Sequence, residues 1–233
     1  MNLNPKSLIP NLLTLANLLC GCAGIVLVFS GQSENAAVLI WIAAVFDFLD
    51  GAAARLLKVS SVIGKELDSL ADMITFGVLP SMIMYHLISE LTNSPILPWI
   101  SFSIALFSAL RLAKFNTDDR QSEQFIGLPT PANAFFISAL PFMLNRNFKG
   151  LSYLLNAEAL AAISIILSLL LVARLPLISL KFKNFTWKQN AFRYVFLAIS
   201  AVILLVWNVF AIPGVIIVYI LLSLLSQVIR TKE

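Results

Sequence analysis

The chain has 233 residues, 59% of them hydrophobic and 12% charged, with a formal net charge of +4. A soluble domain of this size would hold about twice that charged fraction, so the surplus apolar surface requires lipid. Two cysteines and a single histidine argue against a Cys/His zinc centre.

A helix needs about 20 apolar residues to cross the hydrocarbon core, and the first run, 8–29, is long enough. It is too long for the apolar region of a cleaved signal peptide, and Cys20-Gly21-Cys22-Ala23 lies inside it rather than after it. The two cysteines stand two apart, so their side chains do not face each other, and they read as packed thiols. Further apolar runs follow at about 36–54, 70–89, 97–113, 131–144, 157–172, 194–210 and 213–228, the fifth and sixth runs of the series being short. Ala211-Ile212-Pro213-Gly214 reads as the tight turn that folds the last long run into a hairpin. The expected fold is all-α: a polytopic membrane helix bundle of about eight transmembrane helices, one integral domain over 1–233, without internal repeats.

Lysine and arginine positions set the orientation. With loops numbered alternately, one side holds Lys6, Arg55, Lys58, Lys65, Arg111, Lys114, Arg120, Arg174, Lys181, Lys183, Lys188, Arg193, Arg230 and Lys232, and the other only Arg146 and Lys149. Gaining or losing one span would scramble that asymmetry, so both termini are expected to be cytoplasmic. A net basic charge could suggest nucleic acid, but cations placed in this way serve topology, and no nucleic-acid partner is expected. The mixed segment Lys-Phe-Lys-Asn-Phe-Thr-Trp-Lys-Gln at 181–189 reads as an interfacial loop anchoring two helices.

Four aspartates interrupt this apolar pattern at the cytoplasmic ends of the second and third spans. Asp47 and Asp50 are three apart, and Asp68 and Asp72 four apart, so each pair shares a helix face. The short connection makes the two helices antiparallel neighbours whose pairs converge. Four carboxylates at membrane depth repel one another and are costly to desolvate. Divalent cations such as Mg²⁺ or Mn²⁺ relieve both costs, because hard ions prefer oxygen ligands and commonly sit between carboxylates and substrate phosphates. Two such ions would clamp a pyrophosphate for an in-line displacement. Gly51, Ala54 and Gly64 leave backbone space for a nucleotide, and Arg55 offers paired hydrogen bonds to phosphate.

The pattern Asp47-x2-Asp50-Gly51-x2-Ala54-Arg55-x8-Gly64-x3-Asp68-x3-Asp72 resembles the signature of the CDP-alcohol phosphatidyltransferase family at every fixed position. The resemblance implies a homodimeric membrane enzyme with two divalent metals per active site, taking a CDP-linked lipid and releasing CMP. It assigns Asp47, Asp50 and Asp68 chiefly to metal binding. Asp72 would join the metal site and act as the catalytic base on the acceptor hydroxyl. Gly51, Ala54, Arg55 and Gly64 would line the CMP moiety. Thr14 and Asn17 resemble a polar pair that approaches the nucleotide in relatives, with hydrogen bonding between helices as the equal alternative.

Three further stretches resemble the phosphatidylserine synthase branch: Pro10 to Asn17, Gly64 to Gly77, and Arg111-Leu112-Ala113-Lys114-Phe115-Asn116 with Phe125-Ile126-Gly127-Leu128-Pro129-Thr130-Pro131. They cover roughly 8–140 and leave the spans at 194–228 as either catalytic support or accessory folding elements. The implied activity is transfer of the phosphatidyl group of CDP-diacylglycerol to L-serine at a cytoplasm-facing site of the cell's inner or plasma membrane. Serine brings a carboxylate, so its pocket should hold a cation or directed donors. Arg111, Lys114 and Asn116, level with the aspartates, are the candidates, with loop anchoring as their plainer role. Glycerol 3-phosphate or inositol phosphate are the alternative acceptors. A cation or proton transporter is the remote alternative, and it would place acids near the bilayer midplane on broken helices in paired repeats.

Overall fold

A computed structural model describes residues 5–59, 61–117, 125–146, 154–173, 175–177 and 187–230. Nine α-helices are formed among them: α1 (Leu8–Phe29), α2 (Ser33–Leu57), α3 (Val62–Asp72), α4 (Leu79–Leu91), α5 (Ser103–Thr117), α6 (Thr130–Asn145), α7 (Ala157–Val172), α8 (Trp187–Trp207) and α9 (Ile212–Arg230). The two-residue strands β1 (Phe125–Ile126) and β2 (Pro176–Leu177) pair antiparallel and tie the approach to α6 to the exit from α7.

Among the described residues, five helical stretches are long and apolar enough to cross a membrane: Leu8–Phe29, Ser33–Leu57, Val62–Leu91, Leu97–Thr117 and Tyr194–Leu225. The short runs expected at 131–144 and 157–172 form α6 and α7, each of 16 residues. The long run at 194–225 folds back on itself, and Phe196 meets Tyr219 with ring centroids 5.5 Å apart. Its turn lies earlier than the sequence suggests. Asn208, at φ 49°, reverses the chain in a 3₁₀ segment over Asn208–Ala211, and Pro213 and Gly214 belong to the first turn of α9. Proline is well tolerated there because the first helical N–H groups have no partner to lose.

α1 ends in a Schellman motif. Gly31 takes φ +73°, its N–H donates to the Val28 carbonyl at 2.9 Å, and the Gln32 N–H donates to Leu27, also at 2.9 Å. The chain reverses there, and α2 runs back along α1 in the largest helix pairing of the bundle. α2 closes at Lys58, which has φ 53°. Three residues after that break, Ser61 caps α3, its hydroxyl accepting from the Gly64 N–H at 2.9 Å.

The third long helix therefore begins at 62 rather than at 70. It continues through a π-helical stretch over Met73–Val78 into α4. This rod lies against α1 where two glycines remove side-chain bulk. A Cβ on Gly21 would stand 2.5 Å from the Thr75 hydroxyl, and one on Gly24 would stand 2.5 Å from Leu79. The Thr75 hydroxyl fixes the register by donating to the Asn17 carbonyl at 3.1 Å.

α2 and α3 are not the side-by-side neighbours expected. α1 packs along both, and the two make few direct contacts with each other. Their acid side chains still converge, and a cleft opens beside them between the two helices and the start of α1.

The core continues through α6 and α7. Trp41 on α2 stacks on Phe142 with centroids 5.6 Å apart and donates to the Ser138 hydroxyl at 2.8 Å. Gly127, at φ +81°, donates its N–H to the Leu175 carbonyl, and Leu128 donates to Leu170, each at 2.9 Å. These bonds satisfy a carbonyl in the last turn of α7 and one in the chain beyond it, and set Thr130 at the start of α6. The expectation of two packed thiols needs correcting: Cys20 is half-buried against the core, whereas Cys22 is exposed on α1. Arg120, Lys149, Arg174, Lys181, Lys183 and Lys232 of the orientation argument, and most of the 181–189 segment, lie outside the described residues.

Candidate active site

The starts of α1, α3 and α6 and the ends of α2, α5 and α7 gather at one end of the bundle, and the acids lie there. Asp47 and Asp50 come from the last turns of α2, Asp68 and Asp72 from α3. One oxygen from each of Asp47, Asp50 and Asp68 lies within 4.8 Å of the others. Asp72 stands beside this trio and interacts electrostatically with all three. Apolar side chains beside the acids are exposed: Phe48, next to Asp47, is 68% exposed, and Leu70, between Asp68 and Asp72, is 63% exposed. Such surfaces suit lipid.

α1 holds the acids from behind. The Thr14 hydroxyl lies 2.6 Å from Asp50 Oδ2 and also 3.0 Å from the Pro10 carbonyl, so one proton is shared between two acceptors. Asn17 Nδ2 donates to Asp72 Oδ1 at 3.5 Å. Both side chains are buried. The pair therefore meets the acids directly, and Thr14 also lines the cleft.

The cleft has a volume of about 280 Å³ and opens beside Asp50 and Asp68, with Thr14, Gly51, Ala54, Gly64 and Lys65 among its walls. A Cβ on Gly64 would fall 2.9 Å from the Ser61 hydroxyl and 3.3 Å from Asn11 Oδ1, so only glycine keeps this wall open. The first turn of α3 presents its N-terminus here, where the helix dipole and free N–H groups favour an anion. Arg55 is exposed and lies beside Gly51, at the rim rather than in the wall. Lys65 takes the place in the wall that the sequence reading gave to Arg55. Asn11 is a second liner that reading passed over, although it sits three residues before Thr14 on the same helix face.

The three candidates for serine recognition separate. Arg111 is buried at 8% exposure, donates to Thr130 Oγ1 at 3.2 Å and interacts electrostatically with Asp72. Lys114 is exposed. Asn116 faces α3, where its amide donates to Ser69 Oγ at 2.8 Å and its carbonyl accepts from Lys65 Nζ at 3.2 Å. Of the three, Arg111 alone is buried beside Asp72, while Asn116 braces α5 against α3.

Three clustered carboxylates form a hard-oxygen donor set of the kind divalent cations take, and the Asp47, Asp50 and Asp68 oxygens fit such an ion. A phosphate-sized anion fits the adjoining glycine-lined cleft with its lysine and helix N-terminus. The arrangement joins a cation site, an anion cleft and a fourth carboxylate at a lipid-facing surface.

Comparison with known proteins agrees with that geometry. The sequence profile described as CDP-alcohol phosphatidyltransferase matches residues 7–174. The chain is 37% identical over 156 residues to the CDP-diacylglycerol–serine O-phosphatidyltransferase of Bacillus subtilis, covering 64% of this chain and 87% of that protein. To the Helicobacter pylori protein of the same name it is 35% identical over 207 residues, covering 87% and 84% respectively. To the archaetidylserine synthase of Methanothermobacter thermautotrophicus it is 35% identical over 146 residues, covering 62% and 61%. The profile match takes in all four aspartates and the cleft they border, and the chain belongs to the CDP-alcohol phosphatidyltransferase family.

Proposed function

We propose that the chain transfers the phosphatidyl group of CDP-diacylglycerol to the hydroxyl of L-serine, forming phosphatidylserine and releasing CMP. The observation that carries this reading is the convergence of Asp47, Asp50 and Asp68 within 4.8 Å beside a glycine-lined cleft, with Asp72 next to them. Family membership supports the chemistry. The shared word in the relatives' names supports the acceptor: two are serine phosphatidyltransferases and the third is an archaetidylserine synthase.

The cleft takes the CMP portion against Gly51, Ala54 and Gly64, while Lys65 and the first turn of α3 meet its phosphate. Arg55 waits at the rim, where departing CMP passes. Asp47, Asp50 and Asp68, with Asp72 adjoining, would hold two divalent cations, Mg²⁺ or Mn²⁺, which supply Lewis-acid polarisation of the diphosphate and balance its charge. Asp72 accepts the proton of the serine hydroxyl as that oxygen bonds to the lipid-bearing phosphorus. The bond from phosphorus to the bridging oxygen breaks, and CMP leaves with the electron pair. Asn17 orients Asp72, and Thr14 orients Asp50. Arg111, beside Asp72, takes the serine carboxylate. Most of the rate then comes from positioning and electrostatic stabilisation.

The chain acts as one integral unit over 1–233, with α8 and α9 as accessory elements outside the matched region. Eight crossings, with both termini and the acids facing the cytoplasm across the inner or plasma membrane, fit the cation asymmetry. Lipid covers the exposed apolar faces, and a homodimer follows from the family resemblance.

The purified protein given CDP-diacylglycerol and labelled acceptors should release CMP at least about ten times faster with L-serine than with glycerol 3-phosphate or inositol phosphate. Faster release with either phosphorylated alcohol would overturn the acceptor assignment.

A further inference from the structure

Where α5 and α6 pack against the π-helical stretch that follows Asp72, several buried polar atoms have no partner. Arg111 binds Thr130 through NH1, yet its Nε is unpaired. Ser108, one turn earlier on α5, is fully buried with an unpaired hydroxyl, and it packs against the π-helical stretch at Gly77. Asn133, one turn beyond Thr130 on α6, is fully buried with neither its amide oxygen nor its nitrogen paired. Asn17 reaches Asp72 with its nitrogen and leaves its oxygen unpaired. Among the described residues, Ser200 Oγ is the remaining buried side-chain polar atom without a partner. Buried polar groups are paired as a rule, so this concentration beside the π-helical stretch, tied to Asp72 through Asn17 and Arg111, marks a place for a polar guest.

Spacing joins these residues into one surface. Ser108 and Arg111 share a face of α5, and Thr130 and Asn133 share a face of α6. The Arg111–Thr130 bond closes the gap between the helices, and Arg111 links the surface to Asp72.

The chemistry on offer is selective. Arg111 is the one cation in this group, and the other members are neutral. A dianionic phosphate would call for more than one charge-assisted donor set. A zwitterion needs one cation for its carboxylate and a neutral acceptor for its ammonium, and an unpaired amide oxygen supplies the second without adding buried charge.

We propose that Asn133 is a specificity-determining residue for the acceptor, its amide oxygen receiving the ammonium of an α-amino acid whose carboxylate lies on Arg111. The proposal rests on the serine-transfer reading above. It places the amino-acid head on the α5–α6 side and leaves the hydroxyl at Asp72.

The test uses the full-length purified enzyme with Asn133→Ala and Asn133→Leu. In both, KM for L-serine should rise about tenfold or more while KM for CDP-diacylglycerol stays within about twofold. Both should also lose the wild-type preference for serine over glycerate, which has a hydroxyl where serine has its ammonium, as a competing ligand. Asn133→Leu should keep or raise the melting temperature of the ligand-free protein, because it removes a buried amide that has no partner. An unchanged serine KM, or parallel rises in both KM values with a lowered melting temperature, overturns the assignment and leaves serine transfer standing. A wild-type enzyme that does not use serine overturns both, and that result is read before any variant is compared.

Discussion

Asp72→Asn should lower kcat by about 10³-fold while CDP-diacylglycerol binds with an affinity within about twofold of wild type. An acceptor hydroxyl is a weak acid, and a positioned base contributes roughly 10² to 10⁴ in rate. Asparagine keeps the shape of the side chain and an oxygen to receive the Asn17 amide, which reaches Asp72 at 3.5 Å. What it removes is the lone pair that takes the proton and the charge that faces Arg111. The cleft proposed for the donor lies along α1, α2 and the first turn of α3, and keeps its walls. Turnover measured beside equilibrium binding of the lipid donor separates the two effects. A variant retaining a tenth or more of wild-type turnover would remove Asp72 from the base role.

Asp68→Asn should act in opposite directions on activity and on stability. In the cation-free protein, Asp47, Asp50 and Asp68 crowd three carboxylates within 4.8 Å, and at an effective dielectric of about 20 each pair that is ionised together costs about 3 kcal/mol. Neutralising one therefore relieves repulsion, and the melting temperature in chelator should rise. In the proposed mechanism those charges hold the cations, so kcat should fall at least about 10²-fold, and half-saturation by Mg²⁺ should move up by about tenfold or more. Thermal unfolding in chelator and a Mg²⁺ titration of turnover measure the two sides. A fall in both stability and activity would instead mean that Asp68 is part of the packing.

The acid pairs were legible because helical spacing fixes which side chains share a face: three residues for Asp47 and Asp50, four for Asp68 and Asp72. The start of α3 was not. Residues 62–69 carry Lys65, Glu66, Asp68 and Ser69, so hydropathy places the span eight residues later, yet the Ser61 cap and the cleft-facing polar groups make the segment helical. The last hairpin is legible as a hairpin, but its turn is not where the sequence signals it. Pro213-Gly214 signals a turn locally, whereas Asn208 takes the left-handed conformation and the proline starts a helix. Arg55 stands at the rim and Lys65, to which the sequence assigns no site role, lines the cleft, because the signature fixes spacing and not the direction of a long side chain. The burial of Asn133 and Ser108 had no local signal, since it depends on where α5 and α6 meet the π-helical stretch.

The central claim is that the aspartates hold divalent ions needed for transfer, and chelation tests it most directly. Treating the purified protein with EDTA should reduce CMP release from CDP-diacylglycerol and serine to background, and excess Mg²⁺ or Mn²⁺ should restore it in the wild type. Undiminished release in chelator would contradict the account.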